Sequence, residues 1–308
     1  MKKIIIALIV VALLGIGAYF LFGGSSGNSN VTPNPVVTGT TGTNQTPSNT
    51  QTNPTQTTPQ NSAETVIGKS VQGRDITAYN YGTGDTEVLF VGGIHGGYEW
   101  NTALVAYEAM DYLKANPSVI PANVKVTVIP VLNPDGLNKV VGTAGRFTAA
   151  DVPSSQSIQV SGRFNANTVD LNRNFDCDWR AKATWQNKTV SGGSSAFSEP
   201  ESAAIRDYIM AHKPGAVLVW YSAVGGVFAS NCHTGVLPET NTLTNIYAKA
   251  SGYKAYQEFN FYEITGDMVN WLAKNKIPAI SVLLTNHEDT EWSKNKAGID
   301  AFLAHFAK

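Results

Sequence analysis

The sequence is poor in cysteine, with two in 308 residues, Cys177 and Cys232. Neither sits in a spacing typical of a zinc site, so a cysteine-built metal module is excluded. In a domain outside the cytoplasm the pair is most simply one disulfide. An excess of charge of one sign is also missing. A formal net charge of −1 provides no basic footprint, and no nucleic-acid partner is expected. No internal repeat is evident. Two further absences concern the opening apolar run. No cysteine follows it, which excludes a lipid-modified cysteine anchor. It ends Ala-Tyr-Phe-Leu-Phe-Gly-Gly, without the small-x-small site of a cleaved signal peptide.

What is present divides into three. Lys2 and Lys3 precede an apolar run over residues 4–22, long enough to span a bilayer as a helix. The lysines orient it with the remainder of the chain outside the cytoplasm. An uncleaved membrane anchor is the expectation for residues 1–22, and secretion after signal cleavage is the alternative. Residues 23–62 are almost wholly Gly, Ser, Thr, Asn, Gln and Pro, a composition with nothing to bury and therefore a disordered tether. Residues 63–308 turn globular and suffice for one α/β domain with a substantial core.

Within that domain, β-branched runs alternate with helical patterns. Strands are expected at 76–81, 88–91, 124–132, 216–221 and 279–284, and helices at 100–115, 201–212, 242–251, 268–274 and 294–306. Such alternation predicts an α/β sheet covered by helices on both faces. Sites in these sheets gather at strand C-terminal ends. There the stretch from Val88 to Thr102 stands out: an apolar run, two glycines, His95, two more glycines and Glu99. Glycine lets the backbone turn sharply, so imidazole and carboxylate can face one point. Together they form half of a zinc site. A capped helix beside an incidental histidine is the plainer alternative.

Further strand ends carry polar clusters. Asn133-Pro-Asp-Gly136 reads first as a turn. Arg163 and Arg173, interleaved with asparagines, suit a carboxylate receptor because guanidinium presents a planar fork. Surface loop charges are the competing account.

Taken in order, His95-Gly-Gly-Tyr-Glu99, Asn133-Pro-Asp-Gly136, Arg163, Val169-Asp-Leu-Asn-Arg-Asn-Phe175, Phe197-Ser-Glu-Pro-Glu201 and Tyr262-Glu-Ile-Thr-Gly266 resemble the zinc carboxypeptidases of the A/B type. The resemblance covers essentially the whole domain. It implies a mixed eight-stranded sheet with flanking helices, one zinc ion, and removal of C-terminal residues from peptides or proteins. It implies that His95 and Glu99 are zinc ligands and that Arg163 polarises the scissile carbonyl. Asn172 and Arg173 would grip the substrate carboxylate, and Tyr262 would close over it. Val269 falls at the base of the side-chain pocket, where an apolar residue speaks against a charged preference.

Two positions depart from the family pattern. The third zinc histidine is replaced by Tyr221 and the general-base glutamate by Leu283. A phenol ligates well only as phenolate, and a positioned acid–base group contributes roughly 10²–10⁴-fold. Nearby substitutes in sequence are His233, His287, Glu288 and Asp289, each readable as an ordinary loop residue. Three readings follow. The domain binds peptide C-termini with catalysis weak or lost. Alternatively it is an active carboxypeptidase with a substitute ligand and base, or a structural surface protein with a relic pocket.

Overall fold

The computed structural model describes residues 64–308. The segments read as anchor and tether, 1–22 and 23–62, lie outside them. Among the described residues no helix is long and apolar enough to cross a membrane. The first half of the domain runs β1 Glu64–Lys69, β2 Asp75–Tyr81, β3 Thr86–Val91, α1 Trp100–Ala115, β4 Val124–Ile129, α2 Pro134–Val141 and α3 Gln156–Ser161. A hairpin follows, β5 Lys182–Trp185 and β6 Lys188–Ser191, then α4 Pro200–His212, β7 Ala216–Ser222 and β8 Gly226–Ala229. The chain ends with α5 Pro238–Ser251, β9 Lys254–Tyr256, α6 Met268–Lys274, β10 Ala279–Leu284 and α7 Trp292–His305.

Eight strands form one mixed sheet in the order β1-β2-β4-β3-β7-β10-β8-β9, and β5–β6 stand apart. The central strands β4, β3, β7 and β10 are parallel. Period-two alternation sends their side chains to two cores. Val88, Phe90, Leu218 and Trp220 pack with α1, α5 and α7. Leu89, Val91, Val217, Val219, Tyr221 and Leu283 pack with α4 and α6. The expected eight-stranded sheet with helices on both faces is the observed fold.

Local differences have local causes. The strand expected over 124–132 stops at Ile129, because Pro130 has no N–H to extend the ladder. Asn133-Pro-Asp-Gly136, read first as a turn, opens α2. Asn133 Oδ1 accepts from Gly136 N at 2.8 Å, and Pro134 occupies the first turn. β1, β8 and β9 did not emerge from the pattern. β9 is only three residues, and β1 is an edge strand bulged between Val66 and Gly68.

Candidate functional site

At the end of β3 the chain turns over residues 94–99 before entering α1. Gly96 holds φ +45°, and a Cβ there would stand 2.6 Å from Gly162 O and 2.8 Å from the Gly136 carbonyl carbon. The turn is therefore pressed onto the start of α2 at a point only glycine fits. His95 and Glu99 emerge from it buried, 3% and 2% exposed.

Acidic and basic groups surround that pair. His95 Nδ1 stands 2.8 Å from Glu99 Oε1, and Nε2 stands 3.3 Å from Asp170 Oδ1. Neither ring nitrogen makes a hydrogen bond in these directions. Glu99 Oε2 accepts from Ser222 N at 2.9 Å. Arg163 donates through Nε and Nη2 to Asp170 Oδ2 at 2.9 and 2.8 Å, and its Nη1 lies 3.5 Å from Glu99 Oε1. Its guanidinium also covers the Trp185 ring, 4.3 Å from the centroid. Burial pushes the Glu99 and Asp170 carboxyls up, but the opposing charges of His95 and Arg163 prevail. Both are held below the usual carboxylate range, Asp170 far below.

Two unbonded imidazole nitrogens beside a carboxylate are what metal ligands look like without their metal. Asp170 stands where an outer carboxylate would orient the ring. The third position does not fit. The Tyr221 hydroxyl donates to Asn172 Oδ1 at 3.3 Å. Burial, reinforced by Asp267 and Glu99, raises this phenol well above its ordinary value, the opposite of what a phenolate ligand needs. Among the described residues no three His, Cys, Asp or Glu side chains converge on one metal position. The donor set falls short of a three-ligand zinc site.

Arg163, Asn172, Arg173, Tyr221, Tyr262, Val269 and Leu283 line one cavity of about 460 Å³ with His95 and Glu99. Arg173 is 1% exposed. Its Nε donates to Thr184 O at 3.0 Å and its Nη1 to Asn172 O at 2.6 Å, while Nη2 has no partner. Gly266, at φ +64°, packs its backbone against Arg173 where a Cβ would come within 2.2 Å of Arg173 O. Tyr262 sits beside both arginines. Burial raises its phenol, and the guanidinium charges offset part of that push. The Cys177–Cys232 disulfide spans 6.2 Å between Cα atoms at the cavity rim. Cys232 follows β8, which intervenes after β7.

The proposed substitutes separate in space. His233 also borders the cavity, but it is 73% exposed and paired with Asp178 at 2.7 Å. Glu288 and Asp289 are exposed and do not line the cavity. His287 does line it, 4.5 Å from the Tyr98 ring, and its buried Nδ1 lacks a partner. Burial lowers this imidazole's pKa. Sequence reasoning passed over Asp170 and Trp185, although both lie in or near the motifs that carry the arginines. It also passed over Asp267 and Asn231, which have no motif of their own to mark them.

A model of the zinc carboxypeptidase family, peptidase family M14, matches residues 51–298. Over 218 residues the chain is 26% identical to gamma-D-glutamyl-L-diamino acid endopeptidase 1 of Lysinibacillus sphaericus, covering 64% of this chain and 54% of that protein. Over 184 residues it is 26% identical to the catalytic chain of human carboxypeptidase N, covering 56% and 37%. The chain thus spans about half the length, or less, of these curated relatives. Among solved structures, murein-tripeptide amidase MpaA from Escherichia coli O157 superposes with a TM-score of 0.56 at 19% identity, covering 80% of this chain and 93% of that one. Carboxypeptidase A from Helicoverpa armigera gives 0.60 at 22%, covering 79% and 66%. These two likenesses are of fold.

Proposed function

Because this chain belongs to the zinc carboxypeptidase family, we propose that it recognises peptides by their free C-terminal carboxylate and hydrolyses them slowly or not at all. One observation carries the reading. Arg173 is a buried guanidinium whose Nη2 has no partner and which lines the cavity beside His95 and Glu99. An unpartnered buried donor is costly, and a ligand carboxylate removes that cost. Asn172 braces this corner, and Tyr262 stands where it can cover a bound carboxylate. Against turnover stand the neutral phenol of Tyr221 and the apolar Leu283.

The test compares peptides with free and amidated C-termini by calorimetry. Arg173→Ala is expected to weaken binding of the free acid by roughly 10-fold or more and to leave the amide unaffected. Equal loss for both would mean that the cavity does not read carboxylates.

A second reading, slow hydrolysis by a substitute base, is favoured by His287, an imidazole with an unpartnered nitrogen in the same cavity. It predicts a bell-shaped rate profile that His287→Ala abolishes. The surroundings belong to the proposal as well: residues 4–22 as a membrane anchor, 23–62 as a tether, and the domain held outside the cytoplasm. The disulfide supports that placement, because such bonds persist in oxidising compartments. Murein tripeptides, named in one structural neighbour, and the C-termini of extracellular proteins are the ligands to try. Recovery of a mature form beginning between about residues 23 and 65 would replace anchoring by release.

A further inference from the structure

The loop over residues 286–290, between β10 and α7, borders two cavities. His287 lines the one that holds His95 and Arg173. Asn286, Glu288, Asp289 and Thr290 line another, of about 670 Å³, which has no lining residue in common with the first. Asn101 Nδ2 fastens the loop to α1, donating to Asn286 O at 2.8 Å and to Asp289 O at 3.0 Å.

α1 forms the floor of this second cavity. Trp100, Leu104 and Glu108 line it at a spacing of four, which sets them in one row along the helix. At one end Trp100 is 5% exposed, and its indole Nε1–H has no hydrogen-bond partner among the described residues. At the other end Glu108 Oε1 accepts from Thr290 Oγ1 at 3.3 Å, while Oε2 is buried and unpartnered. Burial pushes this carboxyl up, the Thr290 bond offsets only part of that, and Asp289 and Asp111 add to the push. Arg146 is the one cation in the lining, and Asp111 engages it with both carboxylate oxygens, at 2.8 and 2.7 Å.

These groups specify an occupant by its chemistry. An anion finds no receptor, because Arg146 is committed to Asp111. A bare metal ion finds no group of three carboxylates converging on one point among the described residues. An ammonium gives Glu108 both the missing charge and a donor, and Trp100 requires an acceptor. Trp100 and Glu108 lie about 12 Å apart along the helix axis at 1.5 Å per residue. That is the reach of roughly three extended residues, with Leu104 as an apolar rest between the two ends. We infer that this cavity binds the free amino end of an extended peptide, with the α-ammonium on Glu108 and a backbone carbonyl about three residues further on accepting from Trp100 Nε1. The inference is independent of the carboxylate reading.

The test follows the indole N–H resonances of the isotope-labelled full chain by NMR. Tri-alanine amide lacks the carboxylate that Arg173 would hold. It should move one indole resonance downfield, the one that Trp100→Phe removes. N-acetyl-tri-alanine amide, without the ammonium, should bind at least about 10-fold more weakly. Glu108→Gln keeps an acceptor for Thr290 and should abolish the preference for the free amine, whereas a merely structural role would leave that preference intact. Should Trp100→Phe fail to fold, Glu108→Gln still decides, because Glu108 is only half-buried and calorimetry reads the same ratio. Equal binding of the two peptides, a preference that survives Glu108→Gln, or a Trp100 resonance unmoved by millimolar peptide overturns the inference. Calcium chloride moving that resonance where the peptide does not would overturn it as well, making the cavity a metal site.

Discussion

Leu283 lies beside Tyr221 in the parallel register of β10 and β7. The two residues expected from the sequence to stand in for the general base and the third ligand are thus neighbours on one face of the sheet, 7% and 5% exposed. The pair is physically coherent. A charged glutamate next to a buried, protonated phenol would lack a partner, whereas leucine packs there at no electrostatic cost.

That adjacency predicts coupling. Tyr221→His with Leu283→Glu should raise hydrolysis of C-terminal residues by roughly 10²–10⁴-fold over the unmodified chain, with each single change giving far less. Rates and zinc content are measured on all four forms. If the unmodified chain, with stoichiometric zinc, already turns over at roughly 1–10³ per second, Tyr221 is a working ligand and the binding reading fails.

Metal removal offers an independent check. With two good ligands, His95 and Glu99, zinc should be retained sub-stoichiometrically through gel filtration. EDTA should leave the affinity for free-acid peptides unchanged, because Arg173 needs no metal to hold a carboxylate. One tightly held zinc per chain, together with loss of peptide binding on chelation, would be the contrary result.

The disulfide closes a loop between residues 55 apart in sequence. Restricting a loop of that length is worth about 4 kcal/mol in the chain-entropy account. Reduction, or Cys177→Ser, should shift denaturant melts by an amount of that order. It should also weaken peptide binding, because Cys177 lies just past Arg173. An unchanged affinity in the reduced protein would separate the bond from the pocket.

Asp170 sets an acid limit. Its folded pKa lies far below the unfolded value of 3.8, so its contribution is complete above that pH. The contribution is lost progressively as pH falls through 3.8 toward the folded value. Asp170→Asn leaves Arg163 without its buried partner and should cost roughly 3–5 kcal/mol near neutrality. The gap between the two proteins should shrink below about pH 4. Urea melts across pH 2–7 read this directly; a gap that stays constant in acid would assign the loss to packing.

The sequence made the central sheet legible because β3, β7 and β10 each carry a dense apolar run, and α1 begins and ends where its pattern does. The edges were not legible, since β8 and β9 are four and three residues long and too short to display a period. At the site, motifs marked His95, Glu99, Arg163, Asn172, Arg173 and Tyr262, which the fold brings to one cavity. Asp267 was hidden because a helix-capping aspartate explains itself locally. His287 was named only as one of four substitutes, because its place in the cavity is set by packing against Tyr98, far away in sequence.

The bulge between Val66 and Gly68 bears on solubility. β1 closes one edge of an eight-stranded sheet and shows Val66 at 51% exposure, the kind of surface on which a second copy could add a strand. The irregular register interrupts the backbone along that edge. Gly68 also sits so close to Ala204 that a Cβ would approach its Cβ to 2.4 Å, which pins the kink to α4. Straightening this strand would trade a self-limiting edge for an adhesive one, and the cost would appear as aggregation long before it appeared in the pocket.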